Sequence, residues 1–382
     1  MKKILFLQPS YAHYREDLFA ILSDRLAIHF LFEKSKSTYP GNEKPKNLRC
    51  DFIDKKFKSS LIGLTYYLFK HDFDIIVSSV SHSRRTIISF LYSTIFRKKF
   101  ILWILEWQKP AYRGNAIKEI SKRFKYSISR KIINRSNALV VGGTAARNYA
   151  LNLGFNAKNI FTAFQCSKDI IRQGGNCKKK QYIKGKYTFL FLGRIISWKG
   201  LDILIRAFHL LRQKRNDISL LIAGDGPSKK YCFKLAKSLK VLDVEFIGSI
   251  ISGRVNEIFK RADIFVLPSR ELDGYHEDWG LVVNEAMSMK LPVITTTAVG
   301  AAFDMIINGH NGFIVKENSV DELYQAMNKI LKCDLIKMGN NSREIFDEKN
   351  NYVKMANGFF DAIDHVTKQL DISNRDKGRQ SK

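Results

Sequence analysis

Two doubly wound α/β domains are expected from this sequence of 382 residues. Three observations predict them. Short apolar runs closed by Gly, Pro or polar loops alternate with longer stretches of helical spacing, as in parallel strands joined by crossover helices. That alternation fills residues 1–172, lapses over residues 173–186 and restarts at Tyr187. The length also suits two domains of about 190 residues.

In the first domain, residues 3–7 read as a strand. The apolar run stops at Gln8-Pro9 and is too short for a signal peptide. The exit loop, Gln8 to Arg15, leads into a helix over residues 16–26 with Leu18, Phe19, Leu22 and Leu26 on one face. Open parallel sheets bind ligands at the carboxyl ends of their strands. Ser10, Tyr11, His13 and Arg15 are therefore candidate contacts. Residues 28–32 form a second strand, and residues 35–58 are polar, basic and irregular, with breakers at Pro40-Gly41 and Pro45. A third strand covers residues 74–79, and His82 leaves it at the ligand edge. Asp72-Phe73-Asp74 has the Asp-x-Asp spacing of a metal motif but precedes its strand, on the opposite edge, so it reads as a loop. A helix over residues 84–99 follows, then a buried strand over residues 100–107 with Glu106 at its carboxyl end. Residues 138–143 and 160–164 are further strands, separated by a short helix containing Arg147. The linker is expected at residues 173–186.

The second domain is expected over residues 187–348. Its first strand ends at Gly193-Arg194, and Lys199-Gly200 then opens a helix with Leu201, Leu204, Ile205, Phe208 and Leu211 on one face. Arg194 offers a rigid fork and Lys199 a point charge, both suited to a phosphate at a helix start. Gly224-Asp225-Gly226 reads as a structural turn, and Gly248-Ser249 as the exit of a strand over residues 244–248. Residues 263–268 form an apolar strand closed by Pro268; a polar loop and a helix opening at Gly280 follow. The free N–H groups of Gly280 and Leu281 would favour a phosphate. Glu285 lies four residues past Leu281, one turn deeper, where a carboxylate suits a hydroxyl pair. Glu277, before the helix, would reach a second hydroxyl group. Sugar, diphosphate and ribose in that order describe a nucleotide sugar. Ser319-x-x-Glu322 is a capping box. Residues 349–370 have helical spacing and would cross back to the first domain, leaving residues 371–382 as a polar tail.

The net charge is +28 and uneven: residues 1–175 carry 31 Lys and Arg against 12 Asp and Glu. Such a half suits an anionic partner. The stretch from Lys118 to Arg135 holds seven cations and one Glu, with Ile120, Phe124, Ile128 and Ile132 at helical spacing. It reads as a basic amphipathic helix able to meet an anionic membrane surface, or to pack its apolar stripe on its own domain. Nucleic acid is not expected, because the aromatics follow core spacing rather than a stacking platform. No stretch approaches the ~20 apolar residues of a membrane span. Five scattered Cys, an odd count with no close pairs, argue against a disulfide framework or zinc site and for a reducing compartment, and a cytoplasmic location is expected.

The run Glu277-Asp-Trp-Gly-Leu-Val-Val-Asn-Glu285-Ala-Met, followed by Leu291-Pro-Val-Ile, resembles the signature of glycosyltransferase family 4, retaining enzymes of GT-B fold. Gly193-Arg194 to Lys199-Gly200 resembles that family's second signature. The likeness is strong in the second half and weak in the first. It implies two Rossmann-like domains facing across a cleft and a nucleotide-sugar donor, UDP ahead of GDP on family frequency. It also implies neither cofactor nor metal. Arg194, Lys199 and Glu277 would carry the chemistry; Gly193, Gly248, Ser249, Gly280, Leu281 and Glu285 would hold the nucleotide. The acceptor would be lipid-linked or a polysaccharide. Two departures matter. The Gly-Gly pair usual in the first loop is absent, which moves that loop towards the acceptor. Glu106 stands where the family often has His, and with Trp107 would serve the acceptor side. A nucleotide-sugar epimerase of the same fold, a glycogen-type relative and a non-catalytic basic binding protein are the rival readings.

Overall fold

The computed structural model describes residues 2–34, 48–53, 60–81, 83–107, 116–172, 187–250 and 254–380. The chain divides into two compact units, Met1–Cys166 with Asn351–Lys382, and Ser167–Asn350. The expected linker, residues 173–186, and His82 lie outside the described residues.

The first unit contains β1 (Ile4–Ser10), α1 (Glu16–Arg25), β2 (Ile28–Lys34), β3 (Cys50–Phe52), α2 (Ser60–His71), β4 (Ile75–Ser79) and α3 (Arg84–Ile95). It continues with β5 (Lys99–Ile104), α4 (Ala116–Arg135), β6 (Ala138–Val141), α5 (Thr144–Asn152) and β7 (Ile160–Thr162). The strands form one parallel sheet in the order β3-β2-β1-β4-β5-β6-β7. The order reverses between β1 and β4, and such a switch point leaves a crevice at the strand ends. Strands buried on both faces are apolar throughout, which is why β1, β4, β5 and β6 read as unbroken apolar runs. On one face Phe6, Phe19, Phe30 and Trp103 pack with Phe359, Ala362 and Ile363 of the C-terminal helix, Tyr352–Gln380. On the other, Leu5, Leu7, Ile76 and Leu102 pack beneath Leu64 and Leu68 of α2, Tyr92 of α3 and Ile132 and Ile133 of α4.

Three features differ from expectation. β3 and α2 fall where the sequence shows no element: β3 is only three residues long, and the residues of α2 are apolar almost all round, so no polar face marks a helical period. The apolar stripe on α4 packs on its own domain only in part: Ile132 is buried and Ile128 half-buried, while Phe124 is exposed among its described residues. The C-terminal helix runs to Gln380, through most of the expected polar tail. Extending an existing helix needs no new nucleus, and no Pro stops it.

The second unit contains β8 (Tyr187–Leu192), α6 (Leu201–Arg212), β9 (Ile218–Ala223), α7 (Lys229–Ser238), β10 (Val244–Gly248), α8 (Val255–Lys260), β11 (Ile264–Leu267) and α9 (Leu281–Ser288). β12 (Val293–Thr296), α10 (Ala302–Met305), β13 (Gly312–Val315), α11 (Val320–Ile330) and α12 (Leu335–Lys349) complete it. Its parallel sheet has the order β10-β9-β8-β11-β12-β13, again reversing at its first strand. All five apolar residues expected on the inner face of α6 are buried. Ser319 caps α11 by accepting from Glu322 N, while the Glu322 carboxylate accepts from Lys316 N rather than closing the box.

Candidate active site

The candidate site lies in the second unit, at the carboxyl ends of β8, β9, β10 and β11. It begins at the exit of β8. Gly193 N donates to Ala223 O, and a short 3-10 turn over Ser197–Lys199 brings Lys199 round to the start of α6. Gly200 permits this turn: its φ is 69°, and a Cβ there would sit 2.0 Å from Pro268 O. The turn is thereby pressed against the chain leaving β11.

After Pro268 a polar loop leads to α9. Three backbone hydrogen bonds anchor the end of that loop to the exit of β12: Glu277 N to Ala298 O, Gly300 N to Glu277 O and Ala301 N to Trp279 O. Gly280 then adopts a left-handed conformation, φ 93°, as the N-cap of α9. It has no capping side chain; its carbonyl accepts from Val283 N at 2.8 Å, and no cap side chain accepts from the N–H groups at the helix start. Behind the helix start, Trp279 Nε1 donates to Asn284 Oδ1 at 2.9 Å, and Asn284 Nδ2 donates to Asn350 Oδ1 at 2.9 Å. Asn350 in turn holds both Ser167 N and Ser167 O through its side chain, at 2.8 Å each. This polar chain fixes α9 from its buried side.

These elements enclose a pocket of about 390 Å³, within the range of small-molecule sites. Gly193, Arg194 and Lys199 line it from the β8 exit, and Glu277, Gly280, Leu281 and Glu285 from the loop before α9 and from α9. Ser249 joins them, whereas Gly248 shapes the wall without lining it, accepting from Gly224 N at 2.7 Å. Lys199 Nζ donates to Glu277 Oε2, and both side chains are largely buried. Arg194 is exposed on the rim. Among the described residues no cation pairs with Glu285, and burial pushes its carboxyl up to about 7. The pocket therefore brings side-chain donors, the start of a helix and two carboxylates together. Gly224 and Asp225 also line it. Their turn, read from sequence as structural, also borders the pocket, and the Gly-Asp-Gly run at a strand exit was the available signal.

In the first unit the candidates scatter. Ser10 ends β1. Tyr11 is not a ligand contact but a core residue, 5% exposed and packed on Phe32. His13 starts a short 3-10 turn. Arg15 donates to Gln8 Oε1 at 2.6 Å and lies 4.3 Å from the Trp103 ring centroid. Those contacts hold the loop after β1 in place. Glu106 follows β5 at the ligand edge, accepts from Ser81 Oγ at 3.2 Å and so meets the exit of β4. Asp72 pairs with Lys98 at 2.6 Å and Asp74 accepts from Lys3 N at 2.8 Å, so both engage the protein itself.

Comparison with known proteins now adds to this geometry. Residues 175–351 match the family model for glycosyl transferases group 1. An uncharacterised glycosyltransferase of Methanocaldococcus jannaschii is 25% identical over 303 residues, 76% of this chain and 72% of that one. The capsular polysaccharide biosynthesis glycosyltransferase CapM of Staphylococcus aureus is 24% identical over 262 residues, 66% of this chain. The match spans 62% of CapM's length. Among solved structures, Anabaena HepE in complex with UDP-glucose superposes with a TM-score of 0.70 at 16% identity, over 96% of this chain and all of that one. The fold is GT-B. The proteins it resembles in sequence and in structure are glycosyltransferases.

Proposed function

We propose that this GT-B protein transfers a sugar from a nucleotide-diphosphate sugar to a lipid-linked or growing glycan acceptor, with retention of anomeric configuration. The observation that carries the reading is that Arg194, Lys199, the start of α9, Glu277 and Glu285 line one pocket. As the glycosidic bond breaks, negative charge grows on the diphosphate. Arg194, Lys199 and the N–H groups at Gly280 and Leu281 are the donors that would stabilise it. Glu277, held in place by Lys199, would fix the donor sugar through its hydroxyls. Glu285 would accept from the ribose, and Gly248 and Ser249 would border the base. Two side-chain cations and a helix end supply the positive charge, so the transfer is proposed to need no metal. Retention follows if the departing phosphate takes the acceptor's proton on the face it leaves from. Glu106 is the proposed acceptor-side carboxylate, and Trp107 a stacking surface.

UDP is the preferred nucleotide, supported by the UDP-glucose complex of HepE. CapM, a capsular polysaccharide biosynthesis glycosyltransferase, supports a glycan product, and an acceptor built on a lipid would put the reaction at the cytoplasmic face of a membrane. No helix among the described residues is long and apolar enough to cross one, so attachment would be peripheral. A thermal-shift panel of UDP, GDP, ADP and CMP without metal tests the donor. One nucleotide is expected to raise the melting temperature of the wild type and not of Glu285→Ala. No shift with any of the four would sink the reading. Isomerised donor released without an acceptor would instead identify an epimerase.

A further inference from the structure

We propose that the outer surface formed by α2 and α3 of the first unit is a docking surface for an anionic lipid bilayer. The inference rests on the membrane location proposed above and names the face that makes the contact.

Both helices carry apolar side chains on the wrong side. In α2, Leu64, Tyr67 and Leu68 pack against the sheet. Ile62, Tyr66 and Phe69, at spacings of four and three on the opposite side, are 73%, 53% and 57% exposed. In α3 the inversion is stronger. Its buried residues include Arg85, Thr86, Ser89 and Ser93, while Leu91 and Ile95 face solvent at 51% and 70%. Several inward polar groups find local partners: Arg85 pairs with Glu33 at 2.7 Å, Thr86 Oγ1 donates to Ser79 O and Ser93 Oγ donates to Ser89 O. A helix of a water-soluble surface has the reverse polarity. Single exposed apolar residues are ordinary, but a shared patch marks an interaction surface. The two stripes are joined, because the exposed Phe69 ring packs edge-on against Tyr92 and against the exposed Phe96, at centroid distances of 5.4 and 5.1 Å.

Charge selects the partner. α2 and α3 contain no carboxylate, and α4 contains one, Glu119. Lys70, Arg84 and Arg97 are exposed at the ends of the patch. Inward residues of α2, α3 and α4 enter the same core cluster, so all three helices cover one face of the sheet. On that face α4 exposes Lys125, Arg130, Lys131 and Arg135. Apolar side chains able to enter the acyl boundary, with cations placed for headgroup phosphates, form the two-signal contact of a peripheral membrane protein. A second copy of the chain would bring the same cations face to face and repel.

Sedimentation with vesicles of phosphatidylcholine, with and without phosphatidylglycerol, tests the proposal. The wild type is expected to bind only the anionic vesicles. Ile62→Ser/Phe69→Ser/Ile95→Ser is expected to bind them at least about tenfold more weakly while keeping its melting temperature and its nucleotide shift. Lys125→Ala/Arg130→Ala/Lys131→Ala is expected to bind more weakly and with less dependence on salt. If the triple serine variant bound like the wild type, the α2–α3 surface would be excluded and the membrane location would stand. Failure of the wild type to bind any vesicle overturns both. A wild-type dimer that the serine substitutions dissociate would overturn the proposal in favour of a second copy. None of these readouts requires transfer activity, so they remain separate from the test of the chemistry.

Discussion

Lys199 Nζ donates to Glu277 Oε2 although the two residues lie 78 positions apart in the chain. The contact joins the β8 exit to the loop before α9, the two segments that would meet the diphosphate. Each residue orients the other at the pocket wall. Lys199→Ala is therefore expected to cut kcat by about 10²–10³, the usual cost of losing one donor to developing charge. Glu277→Gln should weaken sugar discrimination as well as rate. The double variant should lose less than the product of the two single losses, because each substitution already disorders the other partner. Initial rates across donor concentration measure all three.

Glu285 sets a pH dependence. Its carboxyl is raised from 4.5 to about 7 by burial, so between those values the folded state holds a proton that the unfolded state has lost. Stability therefore falls as pH rises from about 4.5 through 7, by up to roughly 3 kcal/mol. Binding of ribose hydroxyls to the carboxylate runs the other way and should strengthen as pH rises through 7. Melting temperatures from pH 5 to 8 (roughly bracketing the shift), with and without nucleotide, should show both slopes. Glu285→Gln should flatten the slope of the ligand-free protein.

Gly280 admits no side chain. Its φ of 93° is left-handed, and a Cβ would lie 3.1 Å from Glu277 Cγ and Leu267 Cδ2 and 3.2 Å from Val299 Cγ1. Gly280→Ala is expected to destabilise the second unit by roughly 1–2 kcal/mol from the backbone alone. It should also reduce the nucleotide-induced thermal shift, since the clash displaces Glu277. An unchanged shift would mean that the start of α9 does not touch the ligand.

Asn350 holds three partners: Ser167 N, Ser167 O and Asn284 Nδ2. Asn350→Ala leaves all three without it and should cost roughly 2 kcal/mol or more. Asn350→Asp keeps the acceptor for Ser167 N and Asn284 Nδ2 but sets a carboxyl oxygen against Ser167 O, so it should cost less than Asn350→Ala at low pH, where a protonated carboxyl can still donate there, and more as the carboxyl ionises. Urea midpoints at constant slope measure the difference.

The second unit was the more legible half. Its helix α6 announces itself by five apolar residues at strict spacing, and its pocket residues sit beside glycines whose backbone freedom the turns require. The Lys199–Glu277 contact was not legible, because no local pattern links positions so far apart. In the first unit, Tyr11 looked like a ligand contact because it follows a strand end; the tertiary fold turned it onto Phe32 instead. α2 escaped notice because residues outside the core are as apolar as those within it. The same excess that hid the helix from a periodicity reading supplies the surface proposed for lipid.

The first unit is written in two pieces, and this has a consequence for synthesis. Phe359, Ala362, Ile363 and Val366, from the chain's last helix, fill the same core as Phe6, Phe19 and Trp103. A ribosome delivers those residues only after all of Ser167–Asn350 has emerged. The unit that starts first is thus completed last, against the usual N-terminal-first order of domain folding. While elongation continues, one face of its sheet waits without its covering helix. Nascent chains arrested before residue 352 should be unusually dependent on chaperones, and those arrested beyond residue 366 much less so.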